Sequence, residues 1–417
     1  MTASTTDHTL AGVAAEVLST DHTQAVSEGA HTHGAGGVPQ GSRAERISSF
    51  DPDVIGVPSG REEEWRFSPV TKLAPLFELG LSTHGVRTTV VEASEVTVEI
   101  VDRSDERLGR AGKPGDRAAV AAWNSIKEAT IVTIPSQAVA SSVTSIRVEG
   151  IDLAPAASHL LVHAEALSES VVVLDHVGSA NLTETVEVVV DDGAHLTLVS
   201  VQDWAPDAVH ASSHRIRLGR DAKVKHIVVT LGGDVVRVTP DAEFAGEGGD
   251  VEMIGLYFAD AGQHQEHRLF VDHAVPRCKS RVTYKGALQG AGAHTVWVGD
   301  VLIRAEAEGT DTYELNRNLV LTEGARADSV PNLEIETGLI EGAGHASATG
   351  RFDDEQLFYL QARGITEGDA RRLVVRGFFA ELIHAIGVDA IEERLLESIE
   401  AELAKSMSII EAGPTDA

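Results

Sequence analysis

The middle of this chain, about 200 residues long, alternates short β-branched runs with small-residue turns and shows no helical periodicity. The runs begin near residue 130 and are rich in valine, isoleucine, threonine and leucine, as in SVVVLDH and HTVWVGDVLI. Such runs are typical of β-strands. Because no helical segments lie between them, a sheet wound with alternating helices is disfavoured.

Apart from Asp192-Gly193, the turns between these runs contain small residues instead of hairpin dipeptides. Examples are Gly193-Ala194, Asp221-Ala222, Gly292-Ala293 and Gly324-Ala325. Their spacing is irregular, about 28 residues at first and longer afterwards. Small corners and inward aliphatic residues suit a coiled stack of parallel strands in which each turn is buried on the next. On the residues alone, a β-helix, a sandwich and a barrel remain open.

The flanking regions differ from this core in composition and in predicted secondary structure. We expect residues 1–43 to form a flexible N-terminal tail, because their second half is rich in Gly, His and Ser. We expect an N-terminal helical region at residues 44–129 and the β core at residues 130–350. Residues 351–417 are expected to form a C-terminal helical domain.

The C-terminal segment carries clear helix boundary signals. Asp353 is positioned to open a first helix, and Thr366 to cap a second one. Gly387 ends the second helix, and Asp389 begins a third. These amphipathic helices either cover the open end of the β stack or leave a groove for a partner. Just before them, Asn332–Ile340 alternates as a half-buried strand should.

Composition excludes several classes of function. A formal net charge of −30 and a pI near 4.9 argue against nucleic acid and anionic membrane surfaces as partners. The single cysteine, Cys278, cannot form an intrachain disulfide, a Cys-rich zinc site or a four-thiolate cluster site. Without an apolar run long enough to span a bilayer or a basic signal-peptide region, the sequence predicts a cytoplasmic protein.

Nucleotide chemistry is also disfavoured. The nearest approach to a phosphate-binding P-loop is Gly112-Lys113, which is followed by Pro114. A P-loop needs both the glycine cradle and the lysine before Ser or Thr. The chain is therefore expected to bind no nucleotide and to lack ATPase activity.

Two residues are candidates for chemistry. His345 lies in a small-residue run, 342–350, that permits close approach by another backbone, and neutral imidazole is a good iron ligand. An exposed or interface histidine is the alternative. Cys278 is read either as a small buried hydrophobe or as a thiolate activated by its basic neighbours.

The end of the β region resembles a known family. PNLEI, the small-residue stretch around His345 and ATGRFDDEQLFYLQARGI resemble the closing signature of the SufB/SufD family, scaffold proteins of bacterial iron–sulfur cluster assembly. The block EEWRF, at 63–67, is similar to one in the N-terminal region of that family. The resemblance spans about residues 60–410 and is closer to SufD than to SufB. The chain departs from the family at Ala343, where a cysteine is usual, and at Ala346, where glycine is usual.

The resemblance implies a fold and a role. The fold is mainly β, a right-handed parallel β-helix core flanked by N-terminal and C-terminal α-helical segments. The role is that of a non-catalytic scaffold subunit that pairs with a SufB-like subunit through the 329–350 edge and docks a SufC-like ATPase on its C-terminal helices. Alone, the chain is expected to be capable of forming a homodimer.

The resemblance also implies site residues. His345 would bind iron or a nascent iron–sulfur cluster shared transiently with a partner, which must supply any sulfur ligand because Ala343 offers no thiolate. Partner-binding residues are expected to be Asn332, Glu334, Phe358, Tyr359, Arg363 and Phe378.

Two alternatives come from other classes. One is a secreted-type β-helix enzyme acting on acidic polysaccharide, which the net charge disfavours because such a substrate would be repelled. The other is a structural interaction module with no metal role.

Overall fold

A computed structural model describes residues 45–352 and 354–412, without the side chains of residues 354, 356, 389, 390 and 404–412. The tail predicted for residues 1–43 and the helix start predicted at Asp353 lie outside the described residues. The strands are β1 Val86–Val91, β2 Thr97–Asp102, β3 Glu128–Ile134, β4 Thr144–Gly150, β5 Pro155–Ala164, β6 Glu169–Gly178, β7 Asn181–Val190, β8 His195–Trp204, β9 Val209–Leu218, β10 Lys223–Thr230, β11 Val235–Phe244, β12 Asp250–Ala259, β13 His264–His273, β14 Lys279–Leu288, β15 His294–Ile303, β16 Asp311–Val320, β17 Arg326–Ile335 and β18 Gly342–Arg351. The α-helices are α1 Val70–Leu73, α2 Arg117–Ser125, α3 Asp354–Gln361, α4 Glu367–His384 and α5 Asp389–Ala412, and short 3₁₀ helices span Glu63–Trp65 and Ala74–Phe77.

The strands from β3 onward form a parallel β-helix, which confirms the predicted core. Even-numbered strands stack in one sheet, in the order β4 to β18, and odd-numbered strands stack in a second, from β3 to β17. Each strand pairs in parallel with the strand two places along the chain. Two strands therefore make one turn of the coil, and the chain moves from one sheet to the other at every corner.

The corners are built as the sequence predicted. Asp221 at one corner and Gly193 at another have left-handed backbone conformations, with φ of +54° and +67°. Each is followed by a fully buried alanine, because only a small side chain fits where the chain turns sharply between sheets. The turns lengthen along the coil: His195 pairs with Lys223, 28 residues later, whereas Lys279 pairs with Asp311, 32 residues later.

Helices and loops cover the outer faces of both sheets. Apolar residues of α4 and α5 pack on the outward side chains of the even-numbered sheet, such as Ile227 and Ile254. Trp65 and its N-terminal neighbours pack on Ala211 and Val235 of the odd-numbered sheet. The C-terminal helices thus lie along the side of the β-helix, so the suggestion that they cover its open end was wrong. Among the described helices, none is long and apolar enough to cross a bilayer.

The region 44–129 contains more than the predicted helices. Strand β1 pairs antiparallel with β4, and β2 pairs antiparallel with β3. These two strands cover the N-terminal edges of both sheets, as capping elements of a repeat fold must. The prediction of a helical region was wrong for these two strands, because the mostly exposed side chains of β1 and β2 leave no clear buried-face alternation in the sequence.

The interior of the coil contains tyrosine rings that lie over glycines. A Cβ atom added to Gly255 would overlap the ring of Tyr284 on the next turn. We expect Gly255→Ala to lower the free energy of unfolding by about 1–3 kcal/mol, because the core must shift to admit a methyl group. Urea denaturation measures the change. Gly350→Ala is the matched control, since no atom lies within 4 Å of the added Cβ, and an equal loss in both variants would contradict the account.

Candidate functional site

The C-terminal end of the β-helix is an open edge. In the described part of the chain, β17 pairs only with β15 and β18 only with β16. We call these two final strands the open edge. The predicted strand Asn332–Ile340 is in fact β17, which begins earlier, at Arg326, and ends at Ile335. The chain needs residues 336–341 to cross to the other sheet, so the alternation predicted beyond Ile335 was wrong.

His345 lies on the open edge. It is exposed on β18, and its backbone pairs in register with Glu314 of β16. Ala343, two residues earlier on the same face of the strand, is half-buried against the interior core. The edge therefore presents an imidazole at this position and no thiolate.

Glu314, behind His345, is a group that the sequence analysis missed. Its side chain is 1% exposed, and neither carboxylate oxygen has a hydrogen-bond partner. Burial, with a smaller contribution from the charge of Asp300, raises the pKa of Glu314 to about 8. The available signal was the period-two row Thr312, Glu314, Asn316 and Asn318 in β16, which places all four polar side chains on one face.

A buried polar network lies beside Glu314. Tyr257 Oη donates to Asn318 Oδ1 at 2.7 Å, and Asn318 Nδ2 donates to Ser329 Oγ at 3.0 Å. Ser329 Oγ in turn donates to Asn316 Oδ1 at 2.6 Å. These bonds link β16 to β17 across the interior and hold the last turn of the coil in place.

The predicted partner-binding residues fall into two groups. Asn332 and Glu334 are half-buried on β17, and Asn332 Nδ2 donates to Asp300 Oδ1 at 2.8 Å. Phe358 and Tyr359 of α3 are 72% and 56% exposed. Arg363 stacks on Tyr359, with its guanidinium 4.4 Å from the ring centroid.

Phe378 differs from the other predicted contact residues. It is half-buried and packs on the outer face of the β-helix, where Lys285 Nζ lies 5.4 Å from its ring centroid. The ring of Phe378 therefore packs mainly against this chain itself, and only part of it is accessible to a partner.

Cys278 is a core residue in this structure. It is buried at a corner before β14, and its Sγ lies 3.5 Å from the carbonyl oxygen of Pro276. Burial raises the pKa of its thiol. This environment disfavours the thiolate that nucleophilic or metal-binding chemistry needs.

The raised pKa of Glu314 predicts that the free energy of unfolding depends on pH. Its pKa is raised in the folded state, so its favourable contribution is complete below its ordinary pKa of 4.5 and is lost as pH rises toward 8. We expect the unfolding free energy of Glu314→Gln, measured relative to that of wild type, to increase by about 2–4 kcal/mol as the pH is raised from 4.5 to 8. Urea titrations at the two pH values measure it. Glu323→Gln, at an exposed position, should show no such gain, and parallel pH profiles for wild type and Glu314→Gln would refute the assignment.

The fold and the open edge define a class: a parallel β-helix protein that is capped at its N-terminal end and, at the other, has two final strands that are each paired on one side only within the described residues. Comparison with known proteins gives the family. Residues 146–378 match the family model described as "SUF system FeS cluster assembly, SufBD core domain". The chain belongs to the SufBD family of iron–sulfur cluster assembly proteins.

Relatives extend this match over most of the chain. An iron–sulfur cluster assembly SufBD family protein of Mycobacterium bovis is 56% identical over 370 residues, covering 87% of this chain and 93% of the relative. A second SufBD family protein of the same organism is 28% identical over 214 residues, covering 51% of this chain and 25% of that protein. The iron–sulfur cluster assembly protein SufD of Escherichia coli is 29% identical over 206 residues, covering 49% of this chain and 48% of SufD.

Proposed function

We propose that this chain is a SufD-like scaffold subunit that supports iron–sulfur cluster formation together with a SufB-like subunit and a SufC-like ATPase. The observation that carries the proposal is the open edge, with His345 exposed on one of its two strands. The outer side of an edge strand exposes backbone donors and acceptors that readily pair with another chain. The chain itself supplies no phosphate-binding loop, so the scaffold role needs the ATPase from a partner.

The partner at the open edge is proposed to be a second member of the same family. Such a member has its own β-helix, so two final turns can pair edge to edge. The presence of two different SufBD relatives in Mycobacterium bovis supports a pair of unlike subunits. A homodimer is the pairing expected when the chain is alone.

His345 is proposed to bind iron or the nascent cluster, which is the cargo of the assembly. A neutral imidazole on an exposed strand is a suitable ligand. Because Ala343 stands where the family usually has cysteine, any thiolate ligand comes from the partner. The cluster is then shared between the two subunits.

A metal-free structural module is the second candidate function. It is favoured by the absence of a thiolate beside His345. Membership of the iron–sulfur assembly family argues against the polysaccharide-enzyme alternative.

Co-expression tests the assembly. The untagged chain is produced with tagged SufB-like and SufC-like proteins of the same organism, and the purified complex is weighed by native mass spectrometry. The expected result is a stoichiometric complex with one copy of this chain, one SufB-like chain and two ATPases. A chain that elutes alone would overturn the proposal, and a complex that never holds iron would favour the metal-free module.

A further inference from the structure

A compact group of metal-ligand side chains lies inside the β-helix, away from the open edge. His176 on β6, Glu184 on β7 and His210 on β9 each offer one ligand atom, and these three atoms all lie within 4.8 Å of one another. All three residues are essentially unexposed. His176 comes from the even-numbered sheet and the other two from the odd-numbered sheet, so the group bridges the interior.

The separations are close to those of a metal site. His176 Nε2 lies 2.9 Å, and His210 Nε2 3.7 Å, from the same oxygen, Glu184 Oε2. Ligands placed about 2.0–2.2 Å from one tetrahedral ion are roughly 3.3 Å apart. The two observed distances lie on either side of that value, so small side-chain rotations bring the three atoms around a common centre.

The hydrogen bonds around His210 leave a lone pair directed at Glu184. Trp204 Nε1 can only donate, and it lies 2.9 Å from Gln202 Oε1 and 3.1 Å from His210 Nδ1. The shorter contact fixes the orientation of the Gln202 amide. His210 Nδ1 lies 2.8 Å from the same oxygen and must therefore donate its proton to it. His210 Nε2 is then an acceptor, and it has no hydrogen-bond partner. Two acceptors, this nitrogen and the carboxylate, face each other in the interior.

The other two ligands are also supported by neighbouring groups. His176 Nδ1 lies 3.2 Å from the carbonyl oxygen of Val201 and 3.1 Å from Gln202 Nε2. When Nε2 is needed as a lone pair, Nδ1 carries the hydrogen and donates it to the Val201 carbonyl, while Gln202 Nε2 donates to Ser200 Oγ at 2.9 Å. Ser158 Oγ donates to Glu184 Oε1 at 3.2 Å, and Ser212 Oγ donates to Glu184 Oε2 at 3.1 Å. Such outer hydrogen bonds orient ligands in protein metal sites. The ion pairs of Glu184 among the described residues are with histidines only, so a cation would supply the positive charge that neutral imidazoles do not.

We propose that His176, Glu184 and His210 form a buried binding site for one divalent transition-metal ion of the class of Zn²⁺ and Fe²⁺. Two imidazoles and one carboxylate are a ligand set that such ions accept, and three ligands leave one position of a tetrahedral ion for a further ligand. The site is separate from His345, and it does not depend on the proposed scaffold role. Binding would join three strands of the two sheets and stabilise the middle of the coil.

Metal retention by the untagged full chain tests the site. Because the site is buried, the protein is unfolded in denaturant with chelator and refolded with either Zn²⁺ or, anaerobically, Fe²⁺. After gel filtration in chelator, metal content is measured by mass spectrometry and thermal midpoints are recorded. Wild type should retain about one ion per chain and melt at a higher temperature than metal-free protein, because an ion that binds only the folded state stabilises it.

Polar variants of similar size separate binding from folding. Glu184→Gln and His210→Gln should lose affinity about tenfold or more and show no metal-dependent melting shift. His267→Gln is the matched control, because His267 is also fully buried inside the β-helix and bonds to Thr230. It should bind as wild type does. Circular dichroism of the metal-free variants shows whether they are folded. Retention of neither metal by wild type, or equal retention by folded Glu184→Gln, would overturn the site and leave the scaffold role untouched.

Discussion

His345→Ala is expected to abolish most cluster formation in the assembled complex while leaving the complex intact. The imidazole is exposed on β18, so its removal leaves no buried cavity and should not change the fold. Because the imidazole is a proposed ligand, its loss should reduce bound iron and acid-labile sulfide about tenfold or more. The measurement is anaerobic reconstitution of the co-purified complex, followed by iron and sulfide assays and absorption spectroscopy.

The control for His345 is a histidine of similar exposure elsewhere. His195 is exposed at the start of β8, far from the open edge in the strand order. His195→Ala should keep wild-type cluster content. If His345→Ala also keeps it, His345 is not a ligand, and the metal-free module becomes the better account.

The second large effect is expected at α3. Phe358 and Tyr359 are adjacent exposed aromatic residues, and buried aromatics at the centre of an interface often contribute most of its binding energy. The double variant Phe358→Ala with Tyr359→Ala should weaken binding of the SufC-like ATPase by about 2 kcal/mol or more, roughly thirtyfold in Kd. Surface plasmon resonance with the purified ATPase measures the affinity.

A matched variant tests whether any exposed apolar residue has this effect. Ile100 on β2 is 71% exposed, as Phe358 is, but lies on the strand at the N-terminal edge. Ile100→Ala should leave ATPase affinity unchanged. Unchanged affinity in the aromatic double variant would contradict docking at α3 and direct attention to α4 and α5.

Point variants are preferable to deletion of the C-terminal helices. Val375, Phe379 and Leu382 of α4 are buried against the outer face of the even-numbered sheet. Removing residues 366–410 would expose that sheet to water, at a cost of about 25 cal/mol per Å² of apolar surface. Loss of ATPase binding in such a deletion would not distinguish a docking surface from an unfolded chain.

Much of the fold could be predicted from the sequence because its signals are local. The β-branched runs predict strands, Asp221-Ala222 marks a corner, and Thr366 caps α4, where its Oγ1 accepts from the backbone N–H of Asp369 at 3.2 Å. The 329–350 edge was expected from the family resemblance and not from these local signals.

The interior sites could not be predicted because they depend on register. Glu184 and Ser212 are 28 residues apart in sequence but are neighbours on paired strands, and His176 joins them from the opposite sheet. A shift of one residue in the assumed register would move every one of these side chains to the outer face. The burial of Glu314 likewise depends on the opposite sheet, where a Cβ atom added to Gly299 of β15 would lie 2.5 Å from Glu314 Oε1.

Hydrogen–deuterium exchange of this chain, with and without its SufB-like partner, tests the central claim most directly. Among the residues that the structure describes, no strand pairs with the outer side of β17 or β18, the strands of the open edge at 326–351. The account predicts strong protection of the backbone amides of these strands in the complex and little change in β1 and β2. Protection confined to α3–α5 or to the N-terminal strands, with residues 326–351 unchanged, would contradict it.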